Sequence, residues 1–371
     1  MDKPASWVAE QKALTALSFI TFILVVLPLP GFIKARNIGC ILYAAWIAVL
    51  CLTSFINTIV WRDHARNIAP VWCDIYVRLA FMGNMGILSA GLVIARRVSL
   101  VATASSVWLR SENRTRAMYG DLAIGLTPPI AQLIEFWFMQ GHRFDILEGL
   151  GCSAAVPFSI LNICLTWVWN FIIGLISAFY CVRTLHTLLR RHRHVRQVLR
   201  MANMDLQLFY RLVAMAVVEL CCTLPLVLFV FVNNMRGAYY PWKGLADLHL
   251  GFERVRQFPY EMWVAESAFQ QSLWYQIGCG LLFFLLLGFT QDSRARYKRW
   301  LGLSRFFPDD QSRKPSTTGG KRLPFFCFRP SGDMPEGQEE TSTDLRFAYF
   351  SSVLIAPSRS DISQLESKGS V

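Results

Sequence analysis

Five ionisable side chains interrupt the long apolar runs of this sequence, and they are its first candidates for chemistry: Asp74, Arg78, Asp121, Glu135 and Glu219. A charge in hydrocarbon costs about 2.5 to 3.5 kcal/mol on insertion scales, so each group needs a partner, a cavity or an interfacial position. Asp74 and Arg78 are four residues apart in PVWCDIYVR, which places them on one helix face, where they can pair. Such a pair has two interpretations, a structural ion pair and the lining of a ligand cavity.

No catalytic arrangement accompanies these groups. The sequence lacks G-x-S-x-G, H-E-x-x-H and P-loop motifs, and its apolar runs contain no His. The cysteines form no C-x-x-C pair and have no His at ligand spacing, so core packing accounts for most of them. A Lys for a retinal Schiff base is missing from the last apolar run, and no TVGYG filter is present. We therefore predict no enzyme, no cofactor and no metal site.

The composition indicates a multi-pass membrane protein. Of 371 residues, 54% are hydrophobic and 17% are charged, which is too apolar for an ordinary soluble domain. Crossing the roughly 30 Å hydrocarbon core takes about 20 apolar residues. Seven such runs are present, the fourth being the weakest: Ala13–Phe32, Ile38–Val60, Cys73–Ile94, Met118–Met139, Leu161–Val182, Leu212–Val232 and Phe269–Phe289. These runs predict an all-α bundle of seven transmembrane helices.

The distribution of Lys and Arg predicts the orientation of this bundle, because cytoplasmic loops are rich in both. Alternate loops carry the bases: Lys34, Arg36, Arg96, Arg97, Arg110, Arg114, Arg116, Arg183, Arg190, Arg191, Arg193, Arg196, Arg200, Arg294, Arg296, Lys298 and Arg299. We therefore place the N-terminus outside and the C-terminus in the cytosol. The net charge of +12 has the same explanation, so no nucleic-acid partner is predicted.

The remaining organisation follows from local patterns. The leucines and bases between the fifth and sixth runs indicate helical extension of both runs into the cytosol, where the basic surface faces a partner or anionic lipid. Thr290 precedes an amphipathic run that predicts a short interfacial helix, which completes a seven-transmembrane domain at 1–303. Ser, Thr, Pro and Gly dominate afterwards, so 304–371 are predicted to be a disordered cytoplasmic tail.

Several residues near the predicted outer ends are candidates for structure or for ligand contact. Cys73 and Cys152 both lie on the outer, oxidising side, and we predict a disulfide between them. Glu135 and Glu219 are open to three interpretations: protonation, a hydrogen bond to a neighbouring helix, or ligand contact. Aromatic side chains there either anchor the interface or contact ligand: Trp72, Trp137, Trp169, Trp274 and Tyr275. Pro225 removes a backbone hydrogen bond from the sixth span and predicts a hinge there.

Three segments carry a resemblance to a known family. PVWCDIYVR, HRFDILEGLGC and GFTQDSRARY resemble the fungal receptors for lipidated mating pheromone, the a-factor receptor type of class D G-protein-coupled receptors. The resemblance covers roughly Ala13 to Leu303. It implies a plasma-membrane receptor for a farnesylated, carboxyl-methylated peptide, coupled to a heterotrimeric G protein that feeds a mating cascade. The D-R-Y and N-P-x-x-Y motifs of rhodopsin-type receptors are missing.

The resemblance also implies roles for particular residues. Cys73 and Cys152 match the family's outer cysteines, while Trp72, Asp74 and Arg78 match its third-helix entrance. The ligand would favour an outward swing of the sixth span at Pro225, and a homodimer is left open. Six arginines become candidates for facing the G protein, with topology and phospholipid contact as the alternative: Arg96, Arg97, Arg190, Arg191, Arg193 and Arg211.

Two other functions fit the same pattern. A seven-span transporter or lipid-handling membrane enzyme would show flux or turnover that depends on Glu135 or Glu219. A scaffold that recruits partners through its basic inner surface would respond to no secreted ligand.

The orientation gives a first testable prediction. Asn113-Arg114-Thr115 is the only N-x-[ST] sequon, and the predicted topology places it in the cytosol, away from the glycosylation machinery. We expect endoglycosidase treatment to leave the electrophoretic mobility of the expressed protein unchanged. A glycan on Asn113 would show that the true topology is the reverse of the predicted one.

Overall fold

The computed structural model describes residues 3–103, 111–201, 206–236, 239–263 and 268–290, together with Ser293 and Tyr297. Most of the predicted interfacial helix after the seventh span, and all of the predicted tail at 304–371, lie outside the described residues.

Seven helices are long and apolar enough to cross a membrane, which confirms the seven predicted runs. The first span is α1 (Ala5–Val26), followed at Pro28 by the short α2 (Leu29–Lys34). The second, third and fourth spans are single helices: α3 (Ile38–Val60), α4 (Pro70–Thr103) and α5 (Ser111–Met139). The fifth span consists of α6 (Ile160–Asn162), a π-helical turn (Ile163–Trp167) and α7 (Val168–Arg190). The sixth span is α9 (Leu206–Arg236), and the seventh is α12 (Ala268–Phe283) followed by a second π-helical turn (Phe284–Gly288).

The fifth and sixth spans are extended beyond their apolar runs as predicted, since α7 continues to Arg190 and α9 begins at Leu206. A separate helix, α8 (His192–Met201), follows α7 after a break at Arg191. Helix α4 is the longest of the described helices: its 34 residues measure about 51 Å, well beyond the hydrocarbon thickness.

Helices α3 and α4 form the interior of the bundle. The most apolar windows of these two helices are 56% and 61% buried, against 17% for the fifth span and 22% for the sixth. Tyr43, Ile47 and Leu50 of α3 are fully buried and share one apolar cluster with Ile87 of α4 and Phe283 of α12. The outer spans instead expose large apolar side chains, as α7 does at Leu175, Phe179 and Val182. These exposed faces are suited to lipid.

A small sheet, which the sequence did not predict, covers one end of the bundle. Strands β1 (Phe144–Leu147) and β2 (Gly151–Ser153) form an antiparallel hairpin, and β3 (Val255–Phe258) pairs with β1 in parallel. Gly149 and Gly151 have φ of +92° and +89°, which a residue with a side chain rarely adopts, so they permit the tight hairpin. Two one-turn helices, α10 (Leu245–Leu248) and α11 (Tyr260–Trp263), flank β3.

The predicted disulfide is confirmed. Cys73, in the first turn of α4, is bonded to Cys152 of β2, with the two Cα atoms 5.4 Å apart. The sheet is thereby fastened to the central helix. We call this end of the bundle, defined by Cys73–Cys152 and the three strands, the disulfide end. The opposite end, defined by Arg96, Arg190 and Arg211, is called the arginine end.

The N-terminal segment is also fastened to the disulfide end. Lys3 Nζ lies 2.7 Å from Glu148 Oε1, and Glu148 Oε2 accepts a hydrogen bond from the Tyr260 backbone N–H at 3.0 Å. Burial raises the pKa of Glu148, but these two hydrogen bonds and the charge of Lys3 outweigh it, so the net pKa is below its usual value. The contact therefore contributes stability at neutral pH that is lost as the pH falls through the lowered pKa.

The disulfide generates a prediction about stability. Cys73→Ala and Cys152→Ala should lower the thermal midpoint of the detergent-solubilised protein by similar amounts, and the double variant by no more than either, because all three remove the same bond. The chain-entropy model puts the loss at about 4 to 5 kcal/mol at most, and at less where a membrane already confines both ends.

The control is Cys221→Ala, which removes an exposed free thiol and leaves the disulfide in place. The midpoint of this variant should therefore still fall when a reductant is added. Additive losses in the double variant would contradict the pairing.

Candidate ligand cavity and its surroundings

A cavity of about 230 Å³ lies between the third, fourth, fifth, sixth and seventh spans. It is in the half of the bundle nearer the disulfide end, because Phe81 in its wall is eight residues, or about 12 Å, along α4 from Cys73. The wall is formed by Phe81, Asn84, Met85, Leu88, Gln132, Thr166, Trp167, Asn170, Thr223, Leu226, Val227, Val230, Gln271, Ser272 and Tyr275. Apolar surface thus dominates, with amides and hydroxyls at a few points.

The π-helical turn at the start of the fifth span helps to build this wall. Thr166 and Trp167 belong to the turn and line the cavity, together with Asn170 of α7. Gln132 Nε2 donates to the carbonyl of Leu165 inside the turn at 3.0 Å, which joins α5 to the fifth span. Single π-turns within α-helices are frequent at functional sites. The local irregularity therefore coincides with the cavity.

Other polar side chains of the wall join pairs of helices. Asn84 Oδ1 accepts from Gln276 Nε2 at 3.3 Å, and Gln276 Oε1 lies 3.5 Å from the Ser54 hydroxyl, which connects α4, α12 and α3. Thr223 Oγ1 and the Tyr275 hydroxyl are 3.3 Å apart and connect α9 to α12. A ligand that replaced any of these bonds would change how two helices are held together.

The cavity is uncharged. Among the described residues that line it, none carries a carboxylate, an ammonium or a guanidinium group. A charged ligand group would have to give up its hydration there without an ionic partner. The arrangement is suited to a neutral, largely apolar group that accepts or donates a few hydrogen bonds.

The nine predicted ligand contacts are spread over several sites. Tyr275 lines the cavity, and Glu219 lines a second void of about 20 Å³ that shares Leu88 and Thr223 with it. Glu135 stands behind the wall, where its Oε2 accepts from Gln132 Nε2 at 2.6 Å and so orients that amide. Of the three interpretations of Glu135, the structure shows a hydrogen bond, and ligand contact stays a prediction.

Four aromatic candidates do not line the cavity. Trp72 donates from Nε1 to Asn57 Oδ1 at 2.7 Å, and Trp274 donates to Glu10 at 3.3 Å, so both indoles serve contacts between helices. Trp137 is 47% exposed and packs edge-on against the His249 ring. Trp169 is also 47% exposed.

Asp74 has a stronger partner than the one that its spacing predicted. Arg143, in the loop before β1, donates Nη2 to Asp74 Oδ2 at 2.6 Å and Nε to both oxygens at 3.1 Å. Hydrogen bonding to Asp74 raises the pKa of Arg143. Arg78 Nη1 is 3.9 Å from Asp74 Oδ1 and donates instead to the Asp74 carbonyl at 2.8 Å. The main ion pair therefore joins α4 to the loop, and the i,i+4 pair is secondary.

Glu219 lies where α9 crosses α4. The residue is 6% exposed, and among the described residues its Oε2 has no hydrogen-bond partner. A Cβ added to Gly91 would be 2.2 Å from Glu219 Oε1, so only glycine leaves room for the carboxyl in this position. The glycine thus permits a close approach of the third and sixth spans.

The six predicted partner-facing arginines fall into two groups. Arg96 and Arg97 both pair with Asp121, whose side chain is buried, the Arg97 contact being 3.3 Å. Arg211 Nη1 lies 3.5 Å from the Leu286 carbonyl of the seventh span. Arg190, Arg191 and Arg193 are exposed. The structure therefore gives the first three a structural contact and leaves the last three at the surface.

The family model described as pheromone A receptor matches residues 13–307. The chain belongs to the pheromone A receptor family. Among curated relatives, the pheromone B alpha 3 receptor of Schizophyllum commune (strain H4-8 / FGSC 9210) is 32% identical over 286 residues, 76% of this chain and 46% of that protein. The pheromone B alpha 1 receptor of Schizophyllum commune is 34% identical over 74% of this chain and 44% of that protein. The resemblance found in the sequence is confirmed.

A more distant relative is the pheromone a factor receptor of Saccharomyces cerevisiae (strain ATCC 204508 / S288c), 23% identical over 78% of this chain and 62% of that protein. The chain spans about half the length of the first curated relatives it matches. All of these names describe receptors rather than enzymes, so the prediction that this family member is not an enzyme is confirmed.

The contact between Gly91 and Glu219 generates a prediction. Gly91→Ala should destabilise the protein by about 1 to 3 kcal/mol, because its Cβ meets the buried carboxyl. The loss should disappear in a Glu219→Ala background and persist in a Glu219→Gln background, since glutamine keeps the shape of the side chain. Thermal midpoints of the parent, the three single variants and the two double variants in detergent measure the coupling. Equal losses in all backgrounds would show that Gly91 is needed for another reason.

Proposed function

We propose that this family member is a plasma-membrane G-protein-coupled receptor for a farnesylated peptide mating pheromone. Its disulfide end faces outside, and its arginine end and C-terminus face the cytosol. The observation that carries the proposal is the uncharged, mainly apolar cavity near the disulfide end, in a chain whose relatives are named pheromone receptors. A lipidated peptide has an apolar group that fits such a cavity.

The size of the cavity suggests which part of the ligand enters. At about 230 Å³ it is smaller than the 300 to 1,000 Å³ typical of pockets that enclose a whole drug-sized ligand. In this proposal the lipid, or part of it, occupies the cavity, and the peptide extends over the disulfide end. Lipid burial contributes about 0.8 kcal/mol of binding free energy per buried methylene, while the loops at the disulfide end contact the peptide and recognise its sequence.

The wall of the cavity offers a route from ligand to helix movement. Thr223 lies two residues before Pro225 on α9 and contacts Tyr275, so a ligand beside this contact acts on the sixth span close to the proposed hinge. Moving an equilibrium from 1:99 to 99:1 requires about 5.5 kcal/mol of preference for the active state. The free energy of burying part of a farnesyl group in the active state alone is large enough to supply this preference.

At the arginine end, the exposed Arg190, Arg191 and Arg193 are the best placed to contact the G protein. Arg96 and Arg97 hold the buried Asp121, and Arg211 contacts the seventh span. In the proposed mechanism these three become available when the arginine end of α9 moves. Contact with anionic phospholipid is the competing role for all six.

The proposal is tested in yeast that lacks its own pheromone receptors and carries a mating-pathway reporter. Candidate pheromone peptides are added with and without farnesyl. We expect a response to a farnesylated peptide only. Silence across a broad panel despite surface expression would contradict the receptor assignment, and solute flux that depends on Glu135 or Glu219 would favour a transporter.

The cavity is tested in the same strain with a matched pair of variants. Val227→Trp fills the cavity, whereas Leu175→Trp adds the same ring to a side chain that is 67% exposed on α7. We expect the first variant to raise the half-maximal pheromone concentration by roughly tenfold or more, the effect of losing about 1.4 kcal/mol. Equal potency of the two variants would place the lipid elsewhere.

A further inference from the structure

The sheet at the disulfide end has an unpaired edge on the side of β3. The strand order is β2-β1-β3, so β3 has a neighbouring strand on one side only. Phe258, the last residue of β3, points its carbonyl toward β1, where it accepts from the Glu148 N–H at 3.0 Å. In a parallel ladder, successive residues point their backbone groups to opposite sides of the strand. The N–H and C=O groups of Val255 and Gln257 therefore point away from β1, and we call these four groups the free edge.

The free edge lies at the surface of the protein. Arg256 and Gln257 are both exposed. Within the described part of the chain, no segment other than β1 forms backbone hydrogen bonds with Val255 or Gln257. An exposed edge of this kind is a template on which another extended chain can pair. The four residues of β3 span about 13 Å, so an added chain would lie against it over about four residues.

Strand β3 adjoins the candidate ligand cavity through one apolar cluster. Val255 packs against this cluster, which includes the buried Phe136 and Phe144. Phe81 packs against the same cluster, and its ring centroid is 5.0 Å from that of Phe136. Phe81 is also part of the cavity wall. The strand and the cavity therefore contact the same cluster from two sides, so a ligand that enters the cavity has β3 beside its outer part.

We infer that the peptide part of the lipidated ligand binds as an added strand, paired with the free edge of β3. This inference rests on the proposed receptor function and states how the peptide is held. The backbone groups of Val255 and Gln257 exchange hydrogen bonds with the backbone of the peptide. In strand addition these main-chain bonds supply affinity, whereas the side chains beside them select the sequence. The lipid at one end of the added strand occupies the cavity.

The charge of β3 indicates which peptide fits the free edge. Arg256 is the charged residue of this strand, and it is exposed. On a neighbouring strand, an acidic side chain directly beside Arg256 is favourable and a basic one is unfavourable. A second copy of this chain would bring the same basic strand to the free edge, so pairing between copies is disfavoured. The ligand that fits is therefore an extended peptide with Asp or Glu in the paired segment.

The first test removes one donor of the free edge. Gln257→Pro deletes the N–H of residue 257 and keeps the bonds to β1, which are made by the residues on either side. Gln257→Ala removes the side chain and keeps the N–H. Both are compared in the yeast reporter strain, at matched surface expression, with the most active farnesylated peptide of the panel. We expect the Pro variant to raise the half-maximal concentration roughly tenfold and the Ala variant to change it less than about twofold. Equal potency of the two variants would overturn the inference.

The second test changes the peptide and keeps the receptor unmodified, so it does not depend on the folding of a variant. Each backbone nitrogen of the same farnesylated peptide is methylated in turn, which removes one hydrogen-bond donor per peptide. Because alternate residues of an added strand face β3, potency should fall roughly tenfold at positions two residues apart and stay unchanged between them. Uniform tolerance of methylation, or losses without a period of two, would contradict strand addition.

The role of Arg256 is tested by reversing charge on both partners. Arg256→Glu should weaken the response to the active peptide roughly tenfold, and replacing the acidic residue of the peptide by Lys should restore it. Arg62→Glu is the control, since Arg62 is exposed at the disulfide end but lies outside the sheet. Equal effects of the two receptor variants, or an active peptide without Asp and Glu, would remove the role of Arg256.

The tests separate this inference from the proposed function. Silence of the unmodified chain across the panel removes the receptor assignment and strand addition together. A response to a farnesylated peptide, with equal potency of the two Gln257 variants and no periodic effect of methylation, retains the receptor and removes strand addition. A response that shows both effects supports the two together.

Discussion

Hydrocarbon provides no hydrogen-bond partner, so a polar side chain within these seven helices is costly unless another part of the protein bonds to it. This requirement shapes the cavity. Gln132 is bonded to Glu135 and to the Leu165 carbonyl, Asn84 to Gln276, and Thr223 contacts Tyr275. Several of the polar groups that face the cavity therefore also hold its helices together. A neutral ligand with a few polar atoms can exchange partners with them, and each exchange alters a contact between helices.

The two ends of the bundle are held by different forces. At the disulfide end, a covalent bond, a three-stranded sheet and the bidentate Arg143–Asp74 pair connect the loops to α4. At the arginine end, the described contacts are apolar packing around α8 and a buried carboxylate shared by two arginines. Apolar packing is non-directional and can be replaced by another apolar surface. The contrast favours a fixed disulfide end and movement at the arginine end.

The parts of this structure that were predictable from sequence depend on local patterns, or on a choice among few possible partners. Seven apolar runs of the right length fix the spans, and Cys73 and Cys152 were the cysteines on the outer side available to pair. Arg143 was missed as the partner of Asp74 because loop residues follow no spacing rule. The sheet was missed because its strands have three or four residues, and β3 is more than 100 residues from β1.

The cavity was missed for a different reason. Tyr275 was a candidate as an aromatic residue near an outer end, but uncharged polar side chains such as Asn84 and Asn170, which also line the cavity, were not candidates. Amides within apolar spans are also costly when unpaired, so they were the feature of the sequence from which the cavity could have been predicted. Similarly, the leucines and bases after the fifth span indicated a helix, but nothing in their spacing predicted the break at Arg191.

The position of Gly91 against Glu219 gives the sixth span a fixed point between its two functional regions. Thr223 and the cavity lie on one side of this crossing, and Phe209, in the cluster that includes α8, lies on the other. Pro225 is on the cavity side, where it removes the bond to the Cys221 carbonyl and leaves the helix toward Leu206 with its hydrogen bonds intact. From Glu219 to Phe209 is ten residues, or about 15 Å, of uninterrupted helix. In the proposed mechanism, a tilt that begins at Thr223 would therefore be carried past the crossing toward Phe209.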